Sequence, residues 1–449
     1  MNGSGSSVVR LVETATDPLP SDRRYISLSY CWGSSPTFRK LEASSVQSLK
    51  NGWAANKLCQ TFQDAFAAST RIGVKLIWID ALCIIRDSKA DWDAESVTMA
   101  KVYSYAFVNL AAAASVDAEG GLFRHRRPAL ISPFKLQVNW PGYAEGDFLC
   151  VQHDPWMTEV VYSPLLSRAW VFPERLLSLR TVFFARNQLF WECGDLYASE
   201  SIPARGGPWD IKCDRFGLSR QYYSSRKNER TKDRYAELRE MAGNRGEYLT
   251  RVPGALDAWC NIVEDYSRRR LTYESDRLVA ISSVASQFSG VGSSLAGGYC
   301  WGLWRAFMPR LLLWRSHWGG PLFSPNGPRK LTALAPSWSW ASISAPVECM
   351  GPSQYSKTPR CIEILGLLPT SGAMSVSGQL CEGRVVRRLT RHDRGPLAIS
   401  PTSYKKMFQS YSGYSWKPLK ACDNRHMTTR PKSFMFSSAA SRCSPPTLS

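Results

Sequence analysis

Two carboxylates, Asp80 and Glu95, stand where acid–base or electrostatic chemistry can be built. Asp80 closes the apolar run Leu76-Ile77-Trp78-Ile79, and ligand sites of open α/β sheets gather outside the carboxyl ends of parallel strands. The same residue type also serves as a cap or turn residue. Glu95 lies early in the amphipathic stretch Asp91 to Ala106, where an acidic side chain complements the helix macrodipole by about 0.3 to 1 kcal/mol. If the two carboxylates share a cleft, burial and like-charge proximity should perturb their pKa values; on an open surface they should not. Arg168 and Glu174 offer either a structural ion pair or, through the arginine, a phosphate contact. Trp32 and Trp92 are either core aromatics or stacking platforms. Gly33, Gly120 and Gly121 lie outside any phosphate-loop or dinucleotide-binding glycine pattern.

Composition narrows the chemistry further. The 13 cysteines and 5 histidines are scattered, with no spacing suited to zinc, so no structural metal is expected. The N-terminal stretch to Ser7 is Gly/Ser-rich without a basic or apolar region, and the strongest apolar run is far shorter than the ~20 residues of a membrane span. A soluble, cytoplasmic protein with reduced thiols is the expectation. The formal charge of +19 raises nucleic acid as a partner. However, residues 351–449 hold 15 Lys and Arg against 4 Asp and Glu, so 11 of those net charges lie there, without an aromatic-basic platform. Nucleic-acid binding therefore ranks last.

The elements that must position these residues follow from periodicity. Tyr25 to Tyr30 alternates as a half-buried strand and runs into a loop at Gly33 and Pro36. Phe62, Ala65, Phe66, Ser69 and Ile72 keep helical spacing up to Gly73, a suitable C-terminal stop. Leu76 to Ile79, apolar on both alternating faces, predicts an internal parallel strand. Trp92, Ser96, Met99, Tyr103 and Ala106 share one face of a second helix, capped by Ser88 or Asp91. With a strand from Phe107 to Ala113, this is the β-α-β-α-β alternation of an α/β layer. Thr181 to Ala185 and Gln188 to Cys193 suit a hairpin. Residues 205–250 are polar and charged, and helical patterns resume at Leu256, Asp276 and Leu303.

Tyr25-Ile-Ser-Leu-Ser-Tyr-Cys-Trp-Gly33 resembles the opening block of heterokaryon-incompatibility (HET) domains. In the same order come Leu76-Ile-Trp-Ile-Asp-Ala-Leu-Cys-Ile-Ile85 with Asp87, and Asp91-Trp92 with Glu95, Met99 and Tyr103. Gly120-Gly-Leu-Phe123, Arg168-Ala-Trp170 with Glu174-Arg-Leu-Leu-Ser178, and Gln188-Leu-Phe-Trp-Glu-Cys193 follow, each similar to a block of that family. This chain departs from the family at Cys59-Gln60, where Pro-Lys is usual, at Arg86, where a Gln precedes the Asp, and at Pro173, where a Gln precedes the Glu.

The resemblance implies a TIR/flavodoxin-like α/β core with helical and β additions, followed by a mixed C-terminal extension. The expected organisation is a lead-in over 1–20, the HET domain over 21–200, a mostly helical extension over 201–350, a small β unit over 351–390 and a basic, disordered tail over 391–449. It further implies self/non-self recognition and programmed cell-death signalling by induced association, with protein partners or self-association. The alternative is cleavage of NAD as a substrate, with no bound cofactor. On that reading Glu95 and Asp80 would be catalytic, since Trp92-x-x-Glu95 resembles the TIR glutamate block, one residue shorter. Trp32, Asp87, Trp92, Arg168 and Glu174 would contact ligand. A carboxylate there would stabilise the ribosyl cation of glycosidic cleavage.

Overall fold

In a computed structural model the described residues are 8–34, 36–138, 146–150, 155–193, 197–201, 203, 252–289, 298–308, 310–316 and 334–349, with short strands within 362–436. The expectations for the segment 205–250 fall outside them. The chain forms two compact units, residues 1–245 with 269–291, and residues 246–268 with 292–449.

The first unit is built on a six-stranded sheet. Strand β1 is Tyr25–Ser29, helix α1 Gln60–Ile72, β2 Leu76–Trp78, α2 Lys89–Tyr105, β3 Val108–Ala111, α3 Val171–Leu177, β4 Arg180–Phe184, β5 Leu189–Cys193 and β6 Tyr197–Ser199. Across the sheet the order is β6-β5-β4-β3-β1-β2. Strands β2, β1, β3 and β4 are parallel, while β5 pairs antiparallel with β4 and β6 antiparallel with β5. Ile26 pairs with Ile77 on one side and Val108 on the other, and Leu28 with Leu110. These side chains pack with Phe62 and Ala65 of α1.

Local chemistry explains the helix ends. Gly73 takes a left-handed φ of 77° and donates its N–H to the carbonyls of Ser69 and Thr70, ending α1. Ser88 caps α2, its Oγ accepting the Asp91 N–H at 3.2 Å. Ser96, Met99 and Tyr103 lie on the buried face of α2. Pro173 occupies the first turn of α3, where backbone N–H groups have no helical partner to lose.

Three expectations change. The helical pattern at Leu303 is instead a two-residue strand, Leu303–Trp304, followed by single 3-10 turns at Arg305–Phe307 and Arg310–Leu312. Leu76–Trp78 is the edge strand rather than an internal one, and its three residues are only half-buried. Apolar character on both faces here reflects packing around an edge. Conversely, β1 is buried on both faces: Ser27 and Ser29, its polar side, are as covered as Ile26 and Leu28. Asn109 makes that burial tolerable, its Oδ1 accepting Ser27 Oγ at 3.1 Å and its Nδ2 donating to Ser29 Oγ at 3.0 Å.

In the second unit, helix Val252–Ser267 carries the fully buried Trp259, grouped with Trp304 by edge-on ring contact. The indole N–H groups of Trp259 and Trp340 both donate to the Gly302 carbonyl, at 3.2 and 3.0 Å. Short antiparallel pairs join Trp314–Ser316 to Val347–Cys349, and Ile362–Leu368 to Ala373–Gly378. Ser433–Phe436, within the basic segment, pairs with Ala373–Gly378.

Candidate functional site

The parallel arrangement carries the carboxyl ends of β1, β2 and β3 to one edge of the sheet, and the polar residues collect there. Beyond β1 the chain passes through Tyr30-Cys31-Trp32-Gly33. Beyond β2, Ile79 leads into a single helical turn, Asp80–Cys83, with Asp80 as its first residue.

Asp80 is a hub of donors. Its Oδ2 accepts the Trp32 indole N–H at 3.1 Å and Arg86 Nη2 at 3.0 Å, and its Oδ1 accepts the Ala81 N–H at 2.7 Å. The Tyr30 hydroxyl is buried beside it. Burial first, then the Asp80 charge, pushes that phenol well above its ordinary range. The Arg86 guanidinium lies over the Trp32 ring at 4.4 Å and over Trp92 at 5.7 Å. Trp92 meets Trp170 edge-on at 5.7 Å, and the Trp170 indole N–H donates to Asp276 at 3.0 Å. Asp80 therefore combines the turn role and a place in the cluster.

Glu174, on α3, is the second carboxyl of the cluster. Its side chain is buried, and Ser29 Oγ donates to Oε2 at 2.5 Å. Burial pushes its pKa from 4.5 up to about 8. The Ser29 hydroxyl opposes that rise, the Asp80 charge adds to it, and Arg168 and Tyr103 pull it back. Tyr103 reaches the same place from α2, its hydroxyl donating to the Leu28 carbonyl at 3.2 Å.

The expected Arg168–Glu174 ion pair is not among the ion pairs of the described residues. Arg168 Nη1 instead donates to the Tyr30 carbonyl at 2.5 Å. A guanidinium near the strand ends that forms no ion pair among the described residues retains donors for a ligand anion. Cys31, between these groups, is no candidate nucleophile: burial raises its thiol to about 11 despite Arg168.

The structure thus brings Trp32, Asp80, Trp92, Arg168 and Glu174 into one neighbourhood. Asp87 and Glu95 take other contacts. Asp87 is exposed and its Oδ1 accepts the Ala43 N–H at 2.9 Å. Glu95 is half-buried, and its carboxylate accepts the Thr98 hydroxyl at 3.2 Å. Among the described residues no hydrogen bond links Glu95 to Asp80 or Glu174. Its charge does reach Cys83, whose thiol burial pushes up to about 12.

Nothing in the sequence marks Ser29, Tyr103 or Asn109 as a site residue, and Arg86 stands out there only as a departure from a family block. The nearest to a signal is Asn109, a lone amide inside the apolar run Phe107 to Ala113. Among the described residues no group of three His, Cys, Asp or Glu could hold a metal, and no helix is long and apolar enough to cross a membrane.

Residues 25–174 match the family model described as "Heterokaryon incompatibility protein (HET)". The matched span opens on the first residue of β1 and closes on Glu174. No curated protein and no solved structure matches the chain.

Proposed function

Because residues 25–174 match the heterokaryon-incompatibility family model, we propose that this protein signals cell death in self/non-self recognition, and that its domain, switched on by induced association, cleaves NAD at the carboxyl ends of β1, β2 and β3. The observation that carries this reading is the buried Glu174 beside Asp80 at that edge of the sheet.

Topology supports it. From the β2 edge inward, the parallel strands run second, first, third, fourth, the order of a flavodoxin-like sheet, whose ligand crevice opens between the first strand and the third. Ser29 and Asn109 come from those two strands and meet there, and Ser29 holds Glu174. A cationic ligand placed against Glu174 would favour its ionised form and release its proton to solvent. The carboxylate would then stabilise the ribosyl cation formed as the C–N bond breaks and the electron pair leaves with nicotinamide. Water adds to the cation and gives up a proton, completing hydrolysis. Arg168 would contact the pyrophosphate.

The test is expression of the full chain as wild type, Glu174→Gln and Glu95→Gln, with cellular NAD and viability measured together. Glu174→Gln should slow NAD loss by about 100- to 1,000-fold, the range for removing one electrostatic stabiliser. Glu95→Gln should leave it close to wild type. Equal turnover by Glu174→Gln and wild type would overturn the assignment, and death without NAD loss would favour signalling by association alone.

A further inference from the structure

Arg86 is an unusual tenant of the site just described. Its guanidinium lies over two indole faces, Trp32 at 4.4 Å and Trp92 at 5.7 Å, and is tethered to Asp80 at 3.0 Å. Two aromatic faces with a carboxylate at their margin are the elements that recognise a flat cation, and the guanidinium is itself flat and cationic. The fit is incomplete: the Arg86 Nε is buried without a hydrogen-bond partner. A buried donor left unmade is costly, so this contact is weaker than a fully satisfied one. The backbone is held separately, the Arg86 N–H donating to the Leu41 carbonyl at 2.9 Å. The side chain can therefore leave without moving the chain.

We propose that Arg86 is the resident occupant of a slot for a flat cationic ring, and that a ligand bearing a pyridinium enters by displacing its guanidinium from Trp32 and Trp92. The ligand class rests on the reading of the strand ends as an NAD site, the nicotinamide ring of NAD being a pyridinium. The slot is closed at rest, and ligand affinity is reduced by the fraction of molecules in which it is filled. Whatever swings Arg86 aside opens the site, and Asp80 serves as the anchor of the closed state.

The probe is 1-methylnicotinamide, a pyridinium without the rest of a dinucleotide, titrated calorimetrically into the full chain. Arg86→Gln, which shortens and neutralises the occupant, should bind it about tenfold more tightly than wild type, equivalent to about 1.4 kcal/mol. Arg86→Lys keeps the charge near Asp80 but gives up the flat stack, and should also bind more tightly than wild type. Adding Trp32→Ala to Arg86→Gln should abolish the gain. Unchanged affinity in both Arg86 variants, or a gain that survives Trp32→Ala, would overturn the proposal. So would failure of both Arg86 variants to fold, because Arg86 would then be structural. NAD turnover measured on the same proteins separates the two ideas: the expected binding pattern without turnover removes cleavage and leaves the slot.

Discussion

The buried Glu174 makes a pH-dependent claim about stability. Its pKa rises from 4.5 to about 8 in the fold, chiefly through burial. Between those values the folded protein keeps the proton and the unfolded chain has lost it, so the fold binds more protons and stability must fall as pH rises. The contribution is fully present below pH 4.5 and is lost as pH climbs through about 8. At about 1.4 kcal/mol for each unit of pH, the whole window amounts to roughly 5 kcal/mol. Glu174→Gln replaces the carboxyl by an amide of similar volume that does not ionise, and its carbonyl can still accept the Ser29 hydroxyl. Urea unfolding of wild type and variant, followed by tryptophan emission from about pH 5 to pH 8, reads the difference. The variant should be no more stable than wild type at the acid end and should gain on it steadily, by several kcal/mol at the alkaline end. Stability curves that stay parallel within about 1 kcal/mol would refute the reasoning, since ionisation of Glu174 would then cost the fold nothing.

Two further predictions concern packing. Arg175 forks onto Glu192, with Nη2 to Oε1 at 2.7 Å, and the Glu192 side chain is 0% exposed; Arg175→Met should cost about 3 to 5 kcal/mol by removing a cation paired with a buried carboxylate, measured by urea unfolding, and a loss under about 1 kcal/mol would contradict it. Gly302 has a φ of 84°, and a Cβ there would stand 2.6 Å from the fully buried Trp340 indole nitrogen; Gly302→Ala should lower the thermal midpoint, with a backbone cost alone of about 1 to 2 kcal/mol, and an unchanged midpoint would show that Trp340 can yield.

Much of the first unit was legible in the residues. The spacing of Phe62, Ala65 and Ser69, with Gly73 behind them, determines α1 and its end, because a 3.6-residue stripe and a left-handed stop are properties of local chain. The same holds for Ser88 and α2, and for the β-α-β-α-β order. What periodicity does not contain is which element covers a face. The alternation in Tyr25–Ser29 marks two faces of a strand, and reading the serine face as solvent-facing was reasonable until Asn109 and Glu174 closed over it. Leu76–Trp78 is apolar whether it lies inside the sheet or at its edge, and only strand order decided that it is the edge. Glu95 and Glu174 are both acidic residues within family-like blocks, and the resemblance of Trp92-x-x-Glu95 to the TIR glutamate block favoured the first. Tertiary structure buried the second against Ser29, 145 residues away in sequence, and its raised pKa follows from that burial. Residue type determined which groups can ionise, and the fold decided which of them must do so out of water.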